Sequence, residues 1–237
     1  MTPRVTILKA GSTHAEIVGE HGDFEDWVAT GLGLTRSSVE VIDLQGDGRL
    51  DGRIAEAIVI TGAHEHVTDG QPWVRTAAVW IHRMISKNVP VLGICYGHQL
   101  LAHSLGGKVD FHPGGREVGT VPVRLLPEAE DDPLLGSLPS VFRAHCSHAQ
   151  SVLELPEGAL RLATSEFEAT QAFRFGSSVW GVQFHPEFTE AVMVRYIERQ
   201  RSEMAKQGMN AEQLIAEVTW SPASVVLERF ARLTTGV

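Results

Sequence analysis

"PVLGICYGHQLLAHSLGG", residues 90–107, decides how the chain is read. Pro90 to Cys95 is a short apolar run of the kind that makes a buried strand, and Gly97 to Gly106 is an amphipathic helical stretch closed by Gly106-Gly107. A strand that turns into a helix over glycines is the building unit of a parallel α/β sheet. Toward the N-terminus the same alternation continues. Residues 4–10, 38–44 and 55–62 read as strands, and 23–32 and 71–88 read as helices, with Pro72 suited to a first turn. Toward the C-terminus five closely spaced strand patterns follow, at 119–126, 140–146, 160–165, 170–176 and 178–184. Their short turns predict a more antiparallel region on the same sheet. From Thr189 the chain reads as helix, over 190–207 and then in two shorter segments to about Leu233. The fold class is therefore α/β: a mostly parallel mixed sheet, helices on both faces, and a helical C-terminal extension. Residues 1–189 are expected to form one domain, with 190–237 packed on it.

Bulk properties narrow the function. The 237 residues carry a net charge of −9, with 43% apolar and 21% charged side chains. That balance suits a soluble protein with a sizeable core and disfavours nucleic acid or an anionic membrane as partner. No apolar run approaches the roughly 18 residues that span a bilayer. The opening "MTPRVTILKAG" runs straight into a strand pattern without a signal-peptide layout. Two cysteines, Cys95 and Cys146, are too few for a disulfide framework, and a reducing cytoplasm with free thiols is the simplest setting.

Cys95 stands where the strand ends and the helix begins. Helix N-termini present unpaired N–H groups and a positive dipole end, which favour a thiolate. Gly93 and Gly97 flank it, giving G-x-C-x-G, the cysteine form of a nucleophile elbow. A buried, inert thiol is the competing reading of such a corner. A thiolate nucleophile needs a base, and the base needs an orienting group. "VWGVQFHPEFT", residues 179–189, offers both. Pro186 pushes His185 toward an extended conformation, and positions two apart on an extended chain share a side, so His185 and Glu187 can act together.

"GICYGHQLLAHSLGGKV" and "GVQFHPEFT" resemble the two signature motifs of class I glutamine amidotransferases, most of all stand-alone proteins similar to the amidotransferase domain of GMP synthase. The resemblance runs from about Ile58 to Thr189 and implies a flavodoxin-like amidotransferase domain. It implies that Cys95 attacks the side-chain amide of glutamine, that His185 is base and acid, and that Glu187 orients His185. "VITGAH", residues 59–64, matches the family's oxyanion loop, which makes the N–H groups of Ala63 and Tyr96 the oxyanion donors. Ala63 and His64 stand where the family has glycine and proline. "HCSHAQSVLELP", residues 145–156, resembles the segment beside bound glutamine, so Ser147 and His148 are expected at the substrate, mostly through backbone, together with Gln99. "GGREVGT", residues 114–120, resembles the family's segment after the elbow helix, which gives Arg116 and Glu117 no role beyond shaping that edge.

The resemblance further implies a γ-glutamyl thioester intermediate, no cofactor and no metal. His64 and His66 form an H-x-H pair, but no third and fourth ligand stand at recognisable spacing. No S-G-G-x-D-S loop or Walker A motif is present, so the ammonia acceptor is expected to be a separate synthetase or acceptor protein. Two other readings stay open. One is a γ-glutamyl peptidase or hydrolase acting on γ-glutamyl amides or peptides. The other is a non-catalytic binding protein on the same fold.

Overall fold

A computed structural model describes residues 5–46 and 49–235. Arg4, the predicted start of the first strand, lies outside the described residues, as do the outer ends of the two expected segments, 1–189 and 190–237. The strands are β1 (Val5–Lys9), β2 (Glu40–Asp43), β3 (Ala57–Ile60), β4 (Val91–Ile94), β5 (Lys108–Phe111), β6 (Glu117–Leu125), β7 (Val141–His148), β8 (Gln150–Glu154), β9 (Ala159–Thr164), β10 (Ala172–Phe175) and β11 (Val179–Val182). The helices are α1 (Ala15–His21), α2 (Phe24–Gly31), α3 (Pro72–Ile85), α4 (Tyr96–Ser104), α5 (Glu190–Lys206), α6 (Ala211–Ala216) and α7 (Val225–Thr235).

A nine-stranded sheet runs in the order β2-β1-β3-β4-β11-β10-β9-β6-β7. From β2 to β11 all neighbours are parallel, and from β11 to β7 all are antiparallel. The mixed sheet expected from the alternation is the one observed. Its central strands are apolar on both sides because both sides are covered. Ala57 and Val59 of β3 face α2 and α7 through Val28, Leu227 and Phe230. Ile58 and Ile60 face α3 and α4 through Trp80, Ile81 and Leu101. Each fully buried isoleucine contributes about 1.5–3 kcal/mol by leaving water.

Local signals set the helix starts. Asp23 and Asp26 form a capping box on α2, Pro72 opens α3, and the Thr189 hydroxyl accepts from Val192 N–H at the head of α5. Three of these strands and helices escaped the sequence reading: the short helix α1, and β5 and β8, which pair in a separate two-stranded sheet. Three of the four β5 residues are exposed, so the strand carries little apolar pattern to read.

Candidate active site

Strand β4 delivers Cys95 at its carboxyl end, and the backbone there is strained. Cys95 has φ 49° and ψ −100°, one of two non-glycine residues with positive φ among those described. Such a conformation costs on the order of 1–3 kcal/mol and persists only where surroundings enforce it. The flanking glycines explain the enforcement. A Cβ on Gly97 would stand 2.4 Å from the Ile60 carbonyl oxygen, and one on Gly93 would stand 2.4 Å from that of Gly97. Helix α4 thus packs directly on β3 and β4 backbone, and the turn between has no slack. Cys95 N–H donates to Val182 O at 2.8 Å, tying the elbow to β11, and the thiol donates to Ser147 O at 3.8 Å.

Strands β4 and β11 are parallel neighbours with Ile94 opposite Val182. Their carboxyl ends therefore open on one edge, and the three residues after Val182 carry His185 there. His185 N–H donates to His145 O at 2.8 Å. Its Nδ1 lies 2.7 Å from Glu187 Oε1, and the Cys95 side chain is close enough to act electrostatically on the same ring. Phe188 stacks on the ring at 4.0 Å. Burial opposes charge on His185, yet Glu187 and then Cys95 outweigh it and push its pKa up to about 10.

His185 lines a pocket of about 200 Å³. Ala63, Gln99, Ser147 and His148 also line it. Ala63 does not have a positive φ, so its backbone adopts a conformation open to any residue. Tyr96 is the first residue of α4, where N–H groups lack helical partners; its ring points away, against Trp73. Gln99 Nε2 donates to Gln150 O and Gln183 Oε1, at 2.7 and 3.0 Å. The Ser147 hydroxyl accepts from Gln200 Nε2 at 3.0 Å. His148 is buried and held by Glu117 Oε2 at 2.9 Å and Gln150 O at 3.0 Å.

Several pocket residues were not singled out from sequence. Tyr196 and Gln200 come from α5, at helical spacing from Val192, Met193 and Ile197, and that phase was the available signal. The Tyr196 hydroxyl lies 2.6 Å from Thr13 Oγ1 and 3.3 Å from His64 Nε2. Burial, then His14 nearby, lower the His64 pKa to about 4. His64 and His66 do not converge: His66 faces Asp69 and Phe111 instead. A different group, Glu117, Cys146 and His148, brings three metal-capable atoms together.

The class-I glutamine amidotransferase family model matches residues 21–201, and the chain belongs to that family. It is 32% identical over 186 residues to the glutamine-hydrolyzing GMP synthase of Thermosipho africanus, covering 78% of this chain and 33% of that one. It is 47% identical over 107 residues to one subunit of the glutamine-hydrolyzing GMP synthase of Haloarcula marismortui, covering 44% of this chain and 53% of that protein. The chain thus spans about a third of the first relative and about half of the second. A glutamine amidotransferase structure from Thermotoga maritima shares the fold with a TM-score of 0.76 over 100% of both chains, at 22% identity.

Proposed function

We propose that this chain hydrolyses the side-chain amide of glutamine through a Cys95 thioester and releases ammonia to a separate acceptor. The observation that carries this reading is the His185 ring, which lines the pocket, hydrogen-bonds to Glu187 and has its pKa raised by the neighbouring charges of Glu187 and Cys95. The Cys95 thiolate attacks the amide carbon. N–H groups of Ala63 and Tyr96 receive the developing oxyanion, where pre-aimed donors act on charge that forms only in the transition state. The His185 imidazolium, oriented by Glu187, protonates the departing ammonia. Water then enters, His185 takes its proton, and glutamate leaves. Gln99, Ser147 and His148 position the substrate. No metal or cofactor is required for these steps. Similarity to a protein named as one subunit of GMP synthase supports a separate synthetase as the acceptor. No helix among the described residues is long and apolar enough to cross a membrane, and a cytoplasmic setting is part of this proposal.

A second reading has its own observation. The pocket shares His66, Arg116 and Ala149 with an adjoining open cleft of about 540 Å³. That is room for a leaving group larger than ammonia, as in a γ-glutamyl amide or peptide. One experiment separates the readings. The purified chain is given glutamine and a panel of γ-glutamyl amides, and released ammonia and amine are measured separately. A diazo-ketone glutamine analogue is then used to label the protein for mass spectrometry. The proposal expects ammonia from glutamine, at a slow rate without the acceptor protein, and label on Cys95 that Cys95→Ala abolishes. Preferential amine release favours the hydrolase. No turnover and no label on Cys95 would leave a binding protein.

A further inference from the structure

Behind the pocket wall, Glu117, Cys146 and His148 stand together. Strands β6 and β7 pair with Glu117 opposite His148 and Gly119 opposite Cys146. Residues two apart on a strand share a face, so Cys146 and His148 point the same way. Glu117 meets them from the neighbouring strand. One ligand atom from each lies within 4.8 Å of the others, and all three side chains are buried. Thiolate, imidazole and carboxylate are the donors that Zn²⁺ and its chemical relatives take.

The hydrogen bonds around His148 add a second observation. Its Nδ1 lies 3.0 Å from Gln150 O, and its Nε2 lies 2.9 Å from Glu117 Oε2. A backbone carbonyl only accepts, so Nδ1 carries hydrogen. One further proton must then sit between Nε2 and the carboxyl group. An N–H to carbonyl bond of this kind is what orients a metal-bound histidine through its other nitrogen. Glu117 is itself held by Gln171 Nε2 at 2.8 Å and the Ser165 hydroxyl at 3.1 Å. The Gln171 amide also lies 3.7–3.8 Å from the Cys146 sulfur.

We propose that Glu117, Cys146 and His148 bind one thiophilic divalent cation of the Zn²⁺ type, at a site separate from the Cys95 thiol. Loading displaces two protons: the thiol proton of Cys146 and the one shared by His148 and Glu117. Thiolate, carboxylate and dication then sum to zero, which suits a buried site. A bound dication holds a coordinating thiol deprotonated, which accounts for the Cys146 proton leaving on loading. The nitrogen and oxygen ligands are already close to coordination spacing, while the Cys146 sulfur, within 4.8 Å of both, would move in on binding. Tetrahedral nitrogen and oxygen ligands at ~2.0–2.2 Å from Zn²⁺ stand roughly 3.3 Å apart, against 2.9 Å for His148 and Glu117 here. His148 borders the Cys95 pocket, and Glu117 borders a cleft on the far side with Ser165 and Phe167. Ser147, between two of the ligands, accepts the Cys95 thiol through its carbonyl. The cation would thus stiffen the stretch of β7 that holds the nucleophile.

The test uses the full chain carrying Cys95→Ala, which removes the competing thiol. Cd²⁺ is titrated while the ultraviolet Cd²⁺–thiolate charge-transfer band and the thermal midpoint are followed. The expected result is a band that saturates at one Cd²⁺ per chain and a raised midpoint. Adding Cys146→Ser removes both, and adding Glu117→Gln in place of Cys146→Ser weakens binding at least tenfold. Far-UV circular dichroism reports that each variant is folded, and if one variant is not, the other decides. Absence of the band in folded Cys95→Ala overturns the proposal. So does a band or midpoint shift that survives Cys146→Ser or is unmoved by Glu117→Gln.

Discussion

Replacing Glu187 by Gln keeps its volume and removes the charge that faces His185. Burial alone would push the His185 ring below its ordinary value of 6.5, yet it stands at about 10. Glu187 is the strongest influence raising it, with Cys95 next. Losing the largest of these should lower the ring by at least ~1 pH unit, or about 1.4 kcal/mol. The direction with pH follows from linkage. A ring raised on folding stabilises the wild type fully below pH 6.5, and that contribution fades as pH rises through about 10. The stability gap between wild type and Glu187→Gln is therefore widest below pH 6.5 and narrows by at least ~1.4 kcal/mol once pH has risen past about 10. Urea unfolding of both proteins across this range measures the gap, and NMR of the His185 ring reads its titration directly. A gap that stays constant, or a ring that titrates at the same pH in both proteins, would refute the assignment of Glu187 as the partner that charges His185.

Three further outcomes are expected. Cys95→Gly should be more stable than Cys95→Ala by about 1–3 kcal/mol, because glycine relieves the positive φ while alanine keeps it; equal urea midpoints with equal slopes would remove the strain argument. Gly97→Ala should cost at least 1–3 kcal/mol, since its methyl must displace α4 from the Ile60 carbonyl 2.4 Å away; an unchanged unfolding midpoint would show that the elbow has slack. Tyr196→Phe should cost about 1 kcal/mol by leaving Thr13 without its buried partner, and a neutral effect in urea unfolding would mean that the 2.6 Å contact contributes nothing.

The residues legible in the sequence are those whose constraint is local. Gly93 is required by a contact within one strand-turn-helix unit, and Pro186 shapes its neighbours directly, so short motifs announce them, whereas Gly97 is required by the Ile60 carbonyl of β3. The parallel core was legible because β3 and β4 are apolar on both faces, a pattern that only double coverage explains. Glu117 shows the opposite case. The stretch around it resembles a family segment, but nothing near it in sequence marks a role for Glu117. Its surroundings come from β7 by strand register, from Ser165 at the end of β9 and from Gln171 ahead of β10. Tyr196 and Gln200 reach the pocket only because α5 packs back across the sheet edge, through Val192, Met193 and Ile197.

The same contrast bears on how Cys95 and His185 come to act together. Ninety residues separate them, and no property of either motif brings the other near. The sheet does so, because the crossover that follows α4 returns the chain, through the antiparallel strands, to the free edge of β4. Strand β11 then runs parallel to β4 with Ile94 opposite Val182. Side chains on β11 alternate between the two faces, so a one-residue slip in this register would turn its whole set over and carry His185 off the elbow. Val179 and Val182 are buried in opposite core clusters, the first with α3 and α4 and the second with α7. A slip would leave neither cluster with its proper partner, so the packing that stabilises the sheet also holds the imidazole at the sulfur.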